Sequence, residues 1–561
     1  MQRFKSIILP MQGQSKSKLH WLYDDVYSPY HPEAEKIFTY GNLRFRFEGT
    51  GYRNSEKLLL YVEIPADFMN GGIDMNMSLP TANYLLRVLS PAIDKLSREY
   101  VNKDKNIREK AQFTVQDAGV TVTRRNGITY HAERNCFVLR IHFNVPLVNA
   151  LSVNAKATVR AIKDIMQHIE LSIREINTEL LSEAIAVYQR QQEIREYLKL
   201  NSLSAFIADG SILPRENGTE LPMRGAVPFL SPDSMKVTIP LSDGTKLSGM
   251  AIKNGVTVIT GGGYSGKSTL LDAIEAGIYD HIPGDGREYV ITDNSALKIY
   301  AEDSRPVHNL DLSPFFKYLP GSDDLRDFTT PHASGSVSQA ANIIEAVCGK
   351  TKLLLIDEDK SATNFMIRDR NMRKIVKREP IIPFTDRVQE LYTVKGVSTI
   401  LVIGGSSDYL LYADRVVLME DYIVKDITQE IRSIGFTVQV SEEKYACWPD
   451  KRRILPRKTD KPFLYFTTVE TENRKKIILD EYSADITLLT AITSDSQLNT
   501  LMHVSERLLT DKNADSEELL EKIEHVIQGI LSDTGSGWYE QIRPIDAFCC
   551  INRMRGLRFY S

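Results

Sequence analysis

Eight consecutive residues, Gly261-Gly262-Gly263-Tyr264-Ser265-Gly266-Lys267-Ser268, fit the pattern G-x-x-x-x-G-K-[ST], a spacing suited to gripping phosphate. Glycines let such a loop wrap closely around an anion, so that main-chain N–H groups and the N-terminus of a following helix face the charge. Lys267 is expected to reach the β- and γ-phosphates of ATP, Ser268 to coordinate Mg²⁺, and Thr269 to continue the cradle. The flanks that the motif needs are present: Val256–Thr260 reads as a hydrophobic strand before it, and Thr269-Leu270-Leu271-Asp272 opens a helical segment after it. A chance glycine-rich turn would have neither.

A second run, Lys352-Leu353-Leu354-Leu355-Ile356-Asp357-Glu358, reads as a buried strand that delivers two carboxylates at its C-terminal edge, where ligands of open α/β sheets gather. Asp357 suits Mg²⁺ or its water shell, and Glu358 suits polarisation of an attacking water. In isolation, two acids after an apolar run make an ordinary solvated strand end. Downstream of a phosphate loop in the same domain, they read as the metal ligand and the catalytic base, with Lys267 as the catalytic cation.

The elements that must position these residues lie in the middle of the chain. From Val256 to about Met419, β-rich runs (Val256–Thr260, Val290–Thr292, Lys352–Ile356, Thr399–Ile403, Arg415–Met419) alternate with helical patterns, which predicts an α/β core with a mainly parallel sheet. Before it, Ala208–Gly249 is rich in Gly and Pro and reads as a wrapped loop with one or two short strands. Residues 1–200 read as an α+β domain, with strands at Asn42–Phe47, Lys57–Ile64, Gly119–Arg124 and Cys136–Phe143 and a long helical stretch from Val153 to Leu198. The division expected is 1–200, 201–430 and 431–561, the last again α+β.

Composition sets the outer limits. The chain has 561 residues, 42% apolar and 25% charged, with a net charge of −4, so any nucleic-acid surface must be local. The five cysteines, at 136, 348, 447, 549 and 550, have neither zinc-site nor disulfide-framework spacing, and a reducing compartment, the cytoplasm, is expected. Apolar runs such as Leu58–Val62 fall far short of the roughly 18 residues of a membrane span, and no membrane partner is expected. Met1–Trp21 has no acidic residue and carries Arg3, Lys5, Lys16 and Lys18, which leaves an organellar transit segment as an alternative.

Beyond the phosphate loop, Asp357-Glu358-Asp359-Lys360-Ser361-Ala362-Thr363-Asn364 resembles the Walker B and D-loop run of ABC ATPases, and Ala333-Ser334-Gly335-Ser336-Val337-Ser338-Gln339 resembles a variant of their signature loop. The 23 positions from Ser334 to Asp357 agree with that family's spacing. Ala208–Arg215, His281–Glu288, Ala301–Arg305, Ala333–Val347 and Ala362–Asp369 are similar to the predicted ABC-class ATPases, a group of soluble proteins, densely over about 200–430 and more weakly along the full length. The resemblance implies a homodimer in which Ser334, Gly335 and Ser336 of one copy bind the ATP of the other. Read without it, Ser334-Gly335-Ser336 is a helix N-cap, and the cap itself would present N–H groups to phosphate.

The chain departs from transporter-type ABC domains after the strand at 399–403, where Gly404-Gly405-Ser406-Ser407-Asp408 replaces their switch histidine. A Q-loop glutamine is also missing. Glu302 and Asp303 are the candidates for that place, with a solvated strand end as the alternative. No aromatic is assigned to the adenine.

Two partner classes stay open. Basic clusters at Lys451-Arg452-Arg453 with Arg457-Lys458, at Arg474-Lys475-Lys476, and at Arg553, Arg555 and Arg558, with Tyr465, Phe466, Phe548 and Phe559 for stacking, fit single-stranded RNA or another nucleic acid. The same charges also fit a solvated face on a switch that binds a protein partner. A transporter energy subunit is disfavoured by the large flanks, and a small-molecule kinase by Glu358 together with the signature run.

Overall fold

The computed structural model describes residues 1–23, 36–50, 55–68, 75–103, 111–320, 324–368, 375–376, 378–434, 445–449, 466, 468–510, 519–532 and 537–556. They group into two compact units, Met1–Gln189 with Leu531–Gln541, and Arg190–Ile530 with Ile542–Ser561. The boundary expected at 200 therefore falls inside the helix Thr178–Leu200. Residues from 431 onward do not form a third unit: most belong with the core, while Leu531–Gln541 joins the N-terminal unit. A buried charge explains that crossing, because Arg125 there is paired at 2.7 Å with Glu540, each side chain 2% exposed. Without Glu540 the guanidinium would be buried uncompensated.

The first unit is built on an antiparallel sheet in which Leu43–Gly49, Lys57–Pro65 and Cys136–Asn144 are the long neighbours. Its inward face carries Phe45, Phe47, Phe113 and Phe143, the last two stacked at 5.0 Å, beneath the helices Met75–Lys103 and Ala155–Arg174. Three of the four expected strands form, and Gly119–Arg124 does not. The stretch expected to be helical from Val153 to Leu198 is two helices. It breaks at Asn177, whose Oδ1 accepts the N–H groups of Glu179 and Leu180 at 3.0 and 3.1 Å and so starts the second.

The second unit contains the phosphate-loop strand, Val256–Gly261, at the centre of a six-stranded sheet. The order is Leu297–Ile299, Leu353–Asp357, Ser398–Ile403, Val256–Gly261, Arg415–Glu420, Ile423–Asp426, and only the last pairing is antiparallel. Leu353–Asp357 and Ser398–Ile403 are buried at every position, as strands covered on both faces must be. Val290–Thr292, expected in this sheet, pairs instead with Leu203–Ala208 in a four-stranded antiparallel sheet completed by Lys236–Pro240 and Lys246–Lys253. Two of the resembling stretches meet as a structural knot. Asp285 binds Arg215 at 2.6 Å and His281 Nδ1 at 2.9 Å, while Arg287 Nε donates to the Leu213 carbonyl at 2.8 Å.

Beyond the core, Val469–Glu472, Lys476–Leu479 and Tyr482–Asp485 form an antiparallel meander, followed by the helices Asp495–Thr510, Leu519–Leu531 and Pro544–Asn552. Among the described residues no helix is long and apolar enough to cross a membrane.

Candidate functional site

Strand register assembles the site. Asp357 pairs with Val402 and Val402 with Ile259, so the acid stands two strands from the residue that precedes Gly261 by two. Past Gly261 the chain turns sharply. Gly261 has φ 145° and a Cβ there would strike the Met419 carbonyl; Gly266, at φ 98°, caps the helix Lys267–Ala276. Leu270, Leu271, Ala273 and Ile274 of that helix are buried. Burial of four apolar side chains, each worth about 1–3 kcal/mol, fixes the helix axis. Its first N–H groups have no acceptor within the helix and are presented at the loop.

Several polar groups meet at the loop. Ser268 Oγ donates to Asp357 Oδ2 at 3.1 Å, joining the hydroxyl and the carboxylate expected to hold Mg²⁺. Lys267 Nζ donates to the carbonyls of Gly261 at 2.9 Å and Gly262 at 2.6 Å, while Ser265 Oγ donates to Gly262 O at 2.9 Å. Gly262, Gly263 and Tyr264 form the exposed crest, Thr269 follows on the first helical turn, and Tyr264 is 100% exposed with φ 60°. Glu358 Oε2 accepts the N–H groups of Gly404 at 2.7 Å and Gly405 at 3.0 Å, which brings the end of the Ser398–Ile403 strand onto the expected base.

Residues 177–451 match the ABC ATPase family in its P-loop domain. That stretch of the chain is an ABC-type ATPase domain. Over 296 residues the chain is 31% identical to "Uncharacterized protein MJ1628" of Methanocaldococcus jannaschii, a match covering 50% of this chain and 65% of that protein's length. Among solved structures it resembles cbiO1 from Clostridium perfringens, titled part of the ABC transporter complex cbiONQ, at 16% identity over 41% of this chain and 91% of that one, TM-score 0.25. It also resembles MJ1267, titled an ATP-binding cassette of an ABC transporter, at 16% identity over 37% and 92%, TM-score 0.23. At such TM-scores these likenesses carry no argument for this chain.

The run that resembles a signature loop is a capped helix N-terminus. Ser334 precedes the helix Gly335–Cys348 and its Oγ accepts from Val337 N at 3.5 Å; Ser334 is exposed, Gly335 and Ser336 half-buried. Ser334 and Gly335 bond only within their own helix among the described residues. One turn on, the fully buried Gln339 bonds the D-loop twice, donating to Ser361 Oγ at 3.0 Å and accepting from Ala362 N at 2.8 Å. Ser361 Oγ in turn donates to the Asp357 carbonyl at 2.8 Å. Gln339 lay in the quoted run without a role, because a partner 22 residues away leaves no local signal.

At the Q-loop position the two acids part. Asp303 is exposed beside Gly335, whose added Cβ would stand 3.2 Å from Asp303 Oδ1. Glu302 is neither solvated nor turned to phosphate: it pairs with Arg553 at 2.6 Å and accepts from Asn342 Nδ2 at 2.8 Å. Burial works against its ionised form, yet Arg553 and Arg305 outweigh it and hold the Glu302 carboxyl below the usual glutamate range. Arg305 is also buried against Glu345, closing a charge cluster around Asn342.

Two arginines of the third basic cluster are engaged within the fold. Arg553 is a buried counter-ion, Arg555 donates to the carbonyls of Pro331 (2.9 Å) and Ser304, and Phe548 is buried. Arg558 and Phe559 lie outside the described residues, as do Tyr465, Asp369 and the whole Lys451–Lys458 cluster. Phe466 is half-buried against Tyr482. Arg474 and Lys475 are exposed on a hairpin turn, with Arg474 paired to Asp495.

Oxygen donors fit magnesium, which takes one or two protein ligands and completes its shell with water and substrate phosphate. The Ser268 hydroxyl and the Asp357 carboxylate, already in contact, are such a pair. Among the described residues, no group of three or more His, Cys, Asp and Glu offers a self-contained metal site.

Proposed function

We propose that the chain hydrolyses Mg·ATP, with Lys267 binding the β- and γ-phosphates, Ser268 and Asp357 holding the metal, and Glu358 accepting a proton from the attacking water. The observation that carries this reading is the contact of Ser268 with Asp357 at the mouth of the phosphate loop, with Glu358 on the adjoining residue oriented by two backbone amides. Magnesium would supply neutralisation of the phosphate charge that builds up during transfer. Lys267 rests on two carbonyls, which are weaker acceptors than an ionised phosphate, so binding exchanges a poor partner for a strong one. Glu358→Gln, which keeps the shape and removes the base, should bind ATP and fail to turn it over. If it hydrolyses at the parental rate, Glu358 is not the base.

The functional unit in this reading is a homodimer, in which the exposed helix start at Ser334, Gly335 and Ser336 covers the ATP of the second copy. ATP then joins the subunits and hydrolysis releases them. Ser334→Arg should still bind ATP as a monomer and should not dimerise with it, as read by light scattering. The five cysteines are unbridged, which fits the reducing cytoplasm.

For the partner driven by this cycle, a protein is favoured over RNA. The wrapped loop exposes Leu221, Met223, Val227 and Leu230, an apolar set suited to a protein surface. The RNA reading retains the Arg474–Lys475 turn and Lys451–Lys458. ATP turnover that rises with single-stranded RNA, and falls steeply with salt, would restore it.

A further inference from the structure

One face of the helix Met75–Lys103 borders a cavity of about 700 Å³ in the first unit, outside the residues that match the ATPase family. Arg87, Pro91, Asp94 and Arg98 recur on that face at helical spacing, with Ser90 and Lys95 beside them, and Asp117 lines the cavity from a later segment. Among the described lining residues the apolar side chains are Pro91 and Ala118, and none is aromatic. Ligand sites are mostly apolar, so this one suits a ligand that is polar over most of its surface.

Arg87 says which charge that ligand carries. Its Nε donates to the Gly119 carbonyl at 3.1 Å, and its Nη2 to the carbonyls of Ala118 at 3.3 Å and Thr121 at 2.7 Å. Carbonyls are neutral, so these bonds satisfy the donors without cancelling the charge. Among the described residues Nη1 has no hydrogen-bond partner and the guanidinium no ion-pair partner. Burial, and after it the charge of Arg125, pushes the Arg87 pKa down to about 9, as expected of a cation short of counter-charge. Lys95 and Arg98, both exposed, also lack ion-pair partners among the described residues, although Asp94 stands one helical turn from Arg98, where acid and base commonly pair.

The other lining groups suit hydroxyls. Asp117 is engaged with the Gly119 N–H at 3.1 Å, whereas the side chains of Ser90 and Asp94 have no hydrogen-bond partner among the described residues. Pro91 has no N–H to give the Arg87 carbonyl one turn back, which leaves a further acceptor where Pro91 lines the cavity. We infer that the cavity is a second ligand site and that it takes a sugar phosphate. The phosphate meets Arg87 Nη1, Lys95 and Arg98 attract it, and the sugar hydroxyls bond to Ser90, Asp94 and the Arg87 carbonyl.

The test is calorimetric titration of the full chain with ribose 5-phosphate and glucose 6-phosphate, and with ribose, glucose and inorganic phosphate, in the parent and in Lys267→Ala. At least one sugar phosphate is expected to bind about tenfold or more tightly than its sugar and than inorganic phosphate, with equal affinity in Lys267→Ala. Arg87→Gln should weaken it about 30-fold or more. Because Arg87 also holds the 118–121 carbonyls, Ser90→Gln supplies the second variant: it fills the cavity, leaves those bonds in place, and should abolish binding with the melting temperature kept. No binding of either sugar phosphate overturns the proposal. So does binding lost in Lys267→Ala, which would put the ligand in the phosphate loop, or binding that survives both Arg87→Gln and Ser90→Gln. Inorganic phosphate or a free sugar that binds as tightly would equally overturn it. Sugar-phosphate binding in a chain that does not bind ATP would sustain this site and sink only the nucleotide reading.

Discussion

Around the phosphate loop and around Glu302, one unit of the molecule uses the same kinds of charged residue to opposite ends. At the loop, Lys267 leans on carbonyls, Glu358 on two amides and Ser268 on a carboxylate, at an edge that solvent reaches. Around Glu302, the arginines at 305 and 553 meet the glutamates at 302 and 345 across Asn342; Glu302 is half-buried and the other four are buried. Charges with unspent hydrogen-bonding capacity can take a ligand. Charges paired with one another hold the helix Gly335–Cys348, the Ala301–Arg305 segment and the C-terminal helix together.

The comparison can be broken by mutation. The largest effect is expected at Glu358→Gln, where turnover falls about 10²- to 10⁴-fold with ATP affinity and melting temperature held, as steady-state kinetics and thermal unfolding would show. Lys267→Ala should next cost about 2–5 kcal/mol of ATP binding, again without loss of stability. Arg553→Met should do the reverse. It strands Glu302 as a buried anion and destabilises the chain by about 3–5 kcal/mol in denaturant unfolding, and Glu302→Leu in the same chain should recover much of the loss. An Arg553→Met chain that stayed stable and lost only ATP turnover would place that cluster in the catalytic machinery after all.

A smaller effect tests the Asp285 knot. Burial opposes ionisation of Asp285, but His281 and Arg215 prevail and its carboxyl lies below the usual aspartate range. A folded-state value below the unfolded one gives stability that is present above about pH 4 and lost as pH falls through the folded value. The melting-temperature gap between parent and Asp285→Asn should therefore be full near neutrality and close in acid.

Much of the site was legible in the sequence because its parts are local. The phosphate loop is eight contiguous residues with its strand and helix on either side, and Asp357-Glu358 ends a strand whose apolar run announces burial. What escaped reading depends on distance along the chain or on the main chain. Glu302 and Arg553 are 251 residues apart, so Glu302 reads in the sequence as a Q-loop candidate or a solvated strand end and Arg553 as one of a basic cluster, and neither reading contains the other. The donors at Gly404 and Gly405 are backbone amides, which no side-chain pattern reports. Val290–Thr292 was rightly read as a strand, but an apolar strand of three residues does not say which sheet it joins.

The account depends most on the cradle itself, and calorimetric titration of the full chain with ATP, with and without Mg²⁺, tests it directly. Saturable binding that strengthens with the metal and disappears in Lys267→Ala is the expected result. Binding that ignores both the metal and Lys267, or no binding at all, would contradict it.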